Sequence, residues 1–340
     1  MKFDFVIGNP PYQEEMEATS DKPVYNYFMD AVYEIADKVE LITPARFLFN
    51  AGKTPKAWNE KMLADEHFKI LYYESESVKI FPNTDIKGGI AISYYDKTKK
   101  FKPINNFITN DILRSILDKI LNMPFSSFSD IIFAPESYKL SKRLHNDYPE
   151  IALKLSKGHM FDLTTNIAMK LSDIFFDKMP KDGNKYIQIL LRENNKRIRK
   201  YIRRDYIAQH PNLDCYKVFF TKSNSSGTFG EELAVSEIGS PGIGHNQTFI
   251  SIGAFKTKDE AESCRKYVTS KFARALLGTL KVTQDNKKSV WKNVPLQDFT
   301  SNSDIDWSKS IPEIDQQLYK KYGLDEKEIE FIETHVKEMK

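Results

Sequence analysis

An α/β fold is predicted for roughly the first hundred residues, followed by a mixed α+β region, and three observations predict it. Phe3-Asp4-Phe5-Val6-Ile7 is a short, largely apolar run that ends in Gly8-Asn9-Pro10-Pro11-Tyr12, so a strand passes into a rigid turn. Strand-like and helix-like stretches then alternate as far as Tyr95, which is how a sheet with crossover helices reads. From about Lys100 the spacing becomes irregular, with short strand-like runs between polar loops.

The elements follow in order. After a polar loop to about Pro23, Val24, Tyr25, Phe28, Val32, Ile35 and Ala36 recur at helical spacing. Val39 to Thr43 is a short apolar strand closed by Pro44, which completes a βαβ unit. Thr54-Pro55 is read as a helix start, threonine as the cap and proline in the first helical position, leading through Trp58, Met62 and Leu63. Lys69 to Tyr73 and Gly89 to Tyr95 are two further strands, the second rich in β-branched and aromatic residues. Ile112, Leu113, Ile116, Leu117 and Ile120 define a connecting helix, and Tyr186 to Leu191, Lys217 to Thr221 and Thr248 to Ile252 are strand-like. A helix is expected through Tyr267, Phe272, Ala273 and Leu276-Leu277, and short helices from Asp304 onward pack through Tyr319, Tyr322, Leu324, Ile329, Phe331 and Ile332. The expected division is 1–100 as the α/β part, 101–124 as a helical connector, 125–300 as a mixed α+β domain and 301–340 as a C-terminal helical segment.

Composition narrows the class. With 340 residues, 41% hydrophobic and 29% charged, the chain reads as a soluble globular protein of about two domains. Its net charge of +3 argues for no partner by itself, so any nucleic-acid interface must come from local clustering of cations. Two cysteines, Cys215 and Cys264, fit a reducing cytoplasm and no disulfide framework. The six histidines lack ligand spacing, so no metal is expected. No apolar run approaches the roughly 20 residues of a membrane span, and no membrane partner is expected.

The chemistry is concentrated at Asn9-Pro10-Pro11-Tyr12. Two prolines fix φ and lack N–H groups, so the Asn9 and Pro10 carbonyls are expected to be unpaired and firmly aimed. A rigid pair of acceptors suits an amino group, and the Tyr12 ring offers a face for a planar base, worth roughly 1–3 kcal/mol. Taken alone the tetrapeptide also reads as an ordinary loop turn.

At these residues the chain resembles the N6-adenine DNA methyltransferases, in which Asn-Pro-Pro-Tyr after an apolar strand is the catalytic motif and the adenine is flipped out of the duplex. Leu41-Ile42-Thr43-Pro44-Ala45-Arg46-Phe47-Leu48 resembles the family's next strand and the edge of its active-site cleft. Phe81-Pro82 followed by Asp85-Ile86-Lys87-Gly88-Gly89 resembles the segment that carries an aromatic against the adenine, so Phe81 is implied beside Tyr12, although an ordinary core phenylalanine reads the same way. Phe255-Lys256-Thr257 and the segments from Glu260 through Lys281-Val282-Thr283-Gln284 to Phe299 resemble the ends of combined restriction-and-modification enzymes. The resemblance implies a partial doubly wound, Rossmann-like methyltransferase sheet followed by a target-recognition domain. It implies a site-specific enzyme of a restriction-modification system, cytoplasmic, that moves a methyl group from S-adenosyl-L-methionine to adenine N6 in double-stranded DNA.

One departure is large. The family's donor-binding turn, Phe-x-Gly-x-Gly between strand and helix, does not precede residue 3, and Gly239-Ser240-Pro241-Gly242-Ile243-Gly244 leads into a strand rather than a helix. The expectation is therefore a fragment or subunit that needs a donor-binding half, with its first strand exposed as an edge open to self-association or to a donor-binding or nuclease subunit.

A DNA interface is expected from Arg192, Lys196, Arg197, Arg199, Lys200, Arg203 and Arg204, with Tyr201 and Tyr206 interleaved; a merely solvated basic face is the alternative. Lys222-Ser223-Asn224-Ser225-Ser226-Gly227 is a polar loop suited to entering a groove. Two further readings stay open: a catalytically inactive DNA-binding specificity module, and a nucleotide-binding protein unrelated to DNA.

Overall fold

The computed structural model describes residues 2–14, 22–50, 52–84, 86, 88–224, 227–234, 236–281 and 284–339. Asp85 and Lys87 of the glycine-pair segment, Ser225 and Ser226 of the polar loop, and Val282 and Thr283 lie outside the described residues. The chain forms two compact units, Met1–Thr109 and Asn110–Lys340.

In the first unit, β1 (Phe3–Gly8) is followed by a short pair, β2 (Gln13–Glu14) and β3 (Lys22–Pro23), then α1 (Tyr25–Ile35), β4 (Ala36–Pro44), α2 (Lys56–Ala64), β5 (Phe68–Glu74) and β6 (Ile90–Asp96). The sheet order is β1-β4-β6-β5. β1 and β4 are parallel, with Gly8 opposite Leu41, as the crossover through α1 requires. β6 runs antiparallel to both β4 and β5. β1 ends the sheet, and its outward side chains Phe3, Phe5 and Ile7 are 43%, 46% and 71% exposed, whereas Val6, of opposite parity, packs on the core.

That core is built from Tyr25, Met29 and Tyr33 of α1, Val39 and Leu41 of β4, Phe47 and Leu48, Trp58, Met62 and Leu63 of α2, and Phe68. The face of α1 differs from the expected one. Tyr25, Met29 and Tyr33, spaced by four, point inward, and Tyr33 stacks on Tyr95 with ring centroids 4.2 Å apart, while Phe28 and Ile35 face outward. The tyrosines outcompete Phe28 and Ile35 because a flat ring pair fills the space above the sheet. The predicted Thr54 cap is also corrected: Pro55 takes the cap position of α2 without a side-chain bond, and Thr54 is buried.

The second unit contains α3 (Asp111–Leu121), β7 (Ile132–Phe133), α4 (Lys142–Asp147), α5 (Ile167–Lys170), β8 (Tyr186–Glu193), β9 (Lys196–Arg203), β10 (Tyr216–Thr221), β11 (Glu237–Gly239), β12 (Ile243–His245), β13 (Phe249–Phe255), α6 (Lys258–Thr269), α7 (Lys271–Leu277), α8 (Ile311–Lys321) and α9 (Glu326–His335). Its strands form two sheets, β11-β10-β13-β7 and β12-β8-β9. The architecture is mixed α/β with several sheets. The single helix expected through Tyr267 and Leu277 is two helices, because Ser270 leaves helical geometry and caps α7 by accepting from the Ala273 amide. Asp315 of α8 completes that cap, its carboxylate accepting from the amides of Lys271 and Phe272 at 3.0 and 2.9 Å.

Candidate active site

The turn after β1 is pinned on both sides. Pairing with β4 ends at Gly8, and on the far side the Val24 amide donates to the Tyr12 carbonyl at 3.1 Å while Gln13 and Glu14 pair with Pro23 and Lys22. Asn9 and Pro11 are exposed, and Pro10 and Tyr12 are half-buried. Burial pushes the Tyr12 phenol up, with the Asn9 side chain working against it.

Phe81 reaches the same place from seventy residues away. It follows a short 3-10 turn at Ser77–Lys79, and its amide donates to the Ser77 carbonyl at 2.8 Å. The buried Ser77 hydroxyl donates to the Thr84 carbonyl at 2.9 Å and accepts from the Ile86 amide at 2.8 Å, which closes the loop. Asn9, Pro10, Pro11, Tyr12 and Phe81 line one cleft of about 1090 Å³, together with Gln13, Pro23, Tyr25, Pro44, Arg46, Gly52, Lys53, Pro82, Thr84 and Ile86. Among the described residues neither the Tyr12 nor the Phe81 ring contacts another aromatic ring, and both residues line the cleft.

Tyr25, Arg46 and Ser77 were not singled out by the sequence. Burial pushes the Tyr25 phenol up to about 12, with the Thr54 side chain and the Arg46 charge opposing it. The sequence signal for Arg46 is its position just past the apolar run of β4, at the carboxyl end of a strand. Ser77 gives no such signal.

The seven basic residues are elsewhere, in the second unit. β8 and β9 form a hairpin whose two-residue loop, Asn194-Asn195, has φ of 48° and 60°, as a type I′ turn demands. Arg199 pairs with Glu237 at 3.4 Å, and Lys200 pairs with Asp177 at 3.3 Å and Glu193 at 3.8 Å. Arg203 pairs with Asp205 at 2.6 Å and lies over the Tyr206 ring; Arg204 pairs with Asp214 at 3.1 Å. Arg197 is half-buried over Phe249, which lowers its pKa against the pull of Glu237. Arg192 and Lys196 stand exposed beside the hairpin loop. The cluster is thus not one free basic face. Among the described residues no group of three or more His, Cys, Asp or Glu is placed to hold a metal, and no helix is long and apolar enough to cross a membrane.

The turn after β1 and the loop of Phe81 thus share one open cleft. Residues 1–81 match the family model of the Eco57I restriction-modification methylase, and the resemblance drawn from Asn9-Pro10-Pro11-Tyr12 is borne out over that stretch. An uncharacterized adenine-specific methylase of Mycoplasma pneumoniae is 29% identical over 111 residues, which cover 31% of this chain and 26% of that protein. The chain therefore spans about a quarter of the length of that relative. The crystal structure of the type IIG restriction endonuclease BpuSI aligns with 88% of this chain and 44% of its own at 9% identity and a TM-score of 0.28, a superposition too loose to bear on fold or site.

Proposed function

We propose that the first unit is the base-holding half of a site-specific DNA adenine-N6 methyltransferase of a restriction-modification system, and that the second unit is its target-recognition part. The observation that carries this reading is the cleft in which Asn9, Pro10, Pro11 and Tyr12 meet Phe81. The strand order β1-β4-β6-β5, with only β6 reversed, fits the half of a doubly wound sheet that bears the target base.

In this reading Tyr12 and Phe81 hold the flipped adenine by its ring faces. The Asn9 side-chain oxygen and the Pro10 carbonyl accept from the two N6 protons, which favours a pyramidal nitrogen with its lone pair turned to the methyl group. The catalytic contribution is positioning and electrostatic stabilisation of the transition state. S-adenosyl-L-methionine, when bound, supplies the electrophilic methyl. The chain's residues fit the acceptor side of this reaction; the loop after Gly239 leads into β12 and not to a helix, so it does not fit the donor. The donor site belongs to a further sheet half laid along the unpaired edge of β1, where it covers Phe3, Phe5 and Ile7. The same edge suits self-association or a nuclease-bearing partner.

The test is transfer of a labelled methyl group to duplex DNA by the chain combined with a donor-binding half. Incorporation into adenine supports the reading. Salt-sensitive duplex binding without incorporation favours the second reading, a specificity module that keeps the fold and transfers nothing.

A further inference from the structure

Among the described residues that line the cleft, the charged side chains are Arg46 and Lys53, and no carboxylate is present. Lys53 is engaged by another group. The exposed Arg46 guanidinium makes no hydrogen bond or ion pair among the described residues.

Its stem, in contrast, is closely held. Gly52 and Gly88, with φ of +93° and +88°, flank it: a Cβ at Gly52 stands 3.3 Å from Arg46 Cβ, and one at Gly88 stands 2.5 Å from Arg46 Cγ. The Ala45 amide donates to the Gly89 carbonyl at 2.9 Å, and the Tyr73 hydroxyl donates to the Gly88 carbonyl at 3.4 Å, so the glycine pair is fastened against the arginine. Gly88 demands glycine for both φ and space, and Gly52 for φ. The chain thus fixes the arm of Arg46 and leaves its exposed head beside the cleft, which no carboxylate lines among the described residues. A planar fork of N–H donors matches the oxygens of a phosphate.

We propose that Arg46 is a positioning residue that takes the phosphate flanking the base held by Tyr12 and Phe81. This rests on the base-holding reading above and adds a backbone contact to it. The nucleotide is then gripped at two points, ring and phosphate.

The full chain is titrated with two short single strands carrying 2-aminopurine, one with ordinary phosphates and one with uncharged methylphosphonates on either side of the 2-aminopurine. Anisotropy reads affinity, and 2-aminopurine fluorescence reads whether the base is held. The native chain is expected to prefer the phosphate strand about tenfold, the scale of a hydrogen bond to a charged group. Arg46→Ala removes that preference and Arg46→Lys restores most of it, with the fluorescence change at saturation kept. An Arg46→Ala chain that retains the preference overturns the proposal, as does a native chain that holds the base but shows no preference; in both cases the base-holding reading stands. A native chain with no fluorescence change on either strand overturns that reading and the proposal with it. If Arg46→Ala lowers the melting midpoint, Arg46→Lys decides: a preference regained supports the proposal, and one still absent overturns it.

Discussion

Ser77 and Thr84 are joined across the neck of the loop that carries Phe81, the serine hydroxyl donating to the threonine carbonyl at 2.9 Å while accepting from the Ile86 amide at 2.8 Å. One buried hydroxyl thereby satisfies two backbone groups of a loop in the cleft wall. Ser77→Ala leaves both unpaired and is expected to cost about 1–3 kcal/mol. Hydrogen exchange at the Ile86 amide is the check: it speeds up in the variant, and unchanged protection there contradicts the role given to Ser77.

Tyr12 and Phe81 are expected to contribute to base binding through their rings. Tyr12→Ala and Phe81→Ala each weaken 2-aminopurine strand binding by about 1–3 kcal/mol, whereas Tyr12→Phe, which keeps the ring, changes it little. Equal affinity in the native chain and both alanine variants removes the rings from base binding.

For the hairpin of β8 and β9, the structure separates cations that brace the second unit from those that face outward. Arg192→Ala with Lys196→Ala is expected to lower the slope of log affinity for duplex DNA against log salt by about 2, since each phosphate left without its cation takes close to one from the slope. Arg203→Ala, which breaks an ion pair and removes the cation from the Tyr206 ring, lowers the melting midpoint instead. A salt slope unchanged by the double substitution moves the DNA interface away from this loop.

Lys217 gives a pH signature. Its ammonium is buried and donates to the carbonyls of Leu213 and Ser240 at 3.0 and 3.1 Å, and burial lowers its pKa to about 8. Between about pH 8 and the ordinary lysine value of 10.5 the unfolded chain binds more protons at this site than the folded one. Stability from this residue therefore rises with pH across that window, by about 3 kcal/mol in all. Denaturant titrations at pH 8 and 10.5 check it by comparison with Lys217→Met, in which that component of the rise is absent. An identical pH dependence in both chains contradicts the burial of a charged lysine.

The first unit was largely legible because its signals are local. β1 and its Pro-Pro turn, the helical spacing of α1, and the β-branched and aromatic run of β6 can each be read within a dozen residues. What was not legible depends on partners distant in sequence. The acids Asp177, Asp214 and Glu237 come from separate segments to engage Lys200, Arg204 and Arg199, so a run of cations that looks continuous in sequence is mostly paired in space. Asn194-Asn195 carried a hairpin signal that the surrounding charge obscured. The inward face of α1 was misjudged because Tyr33 takes its place through a stack on Tyr95, which lies on another strand. Arg46 acquires its setting from Gly52 and Gly88, one of them forty-two residues downstream.

Methyl transfer dependent on Asn9 is tested most directly by a base-resolution map of N6-methyladenine in cells that lack adenine methylation and express the gene encoding this chain, native or Asn9→Ala. Methylated adenine is expected at one recurring sequence with the native gene and nowhere with Asn9→Ala at equal protein level. Methylation that survives Asn9→Ala, or none with the native gene when donor-binding half and folded protein are both present, contradicts the assignment.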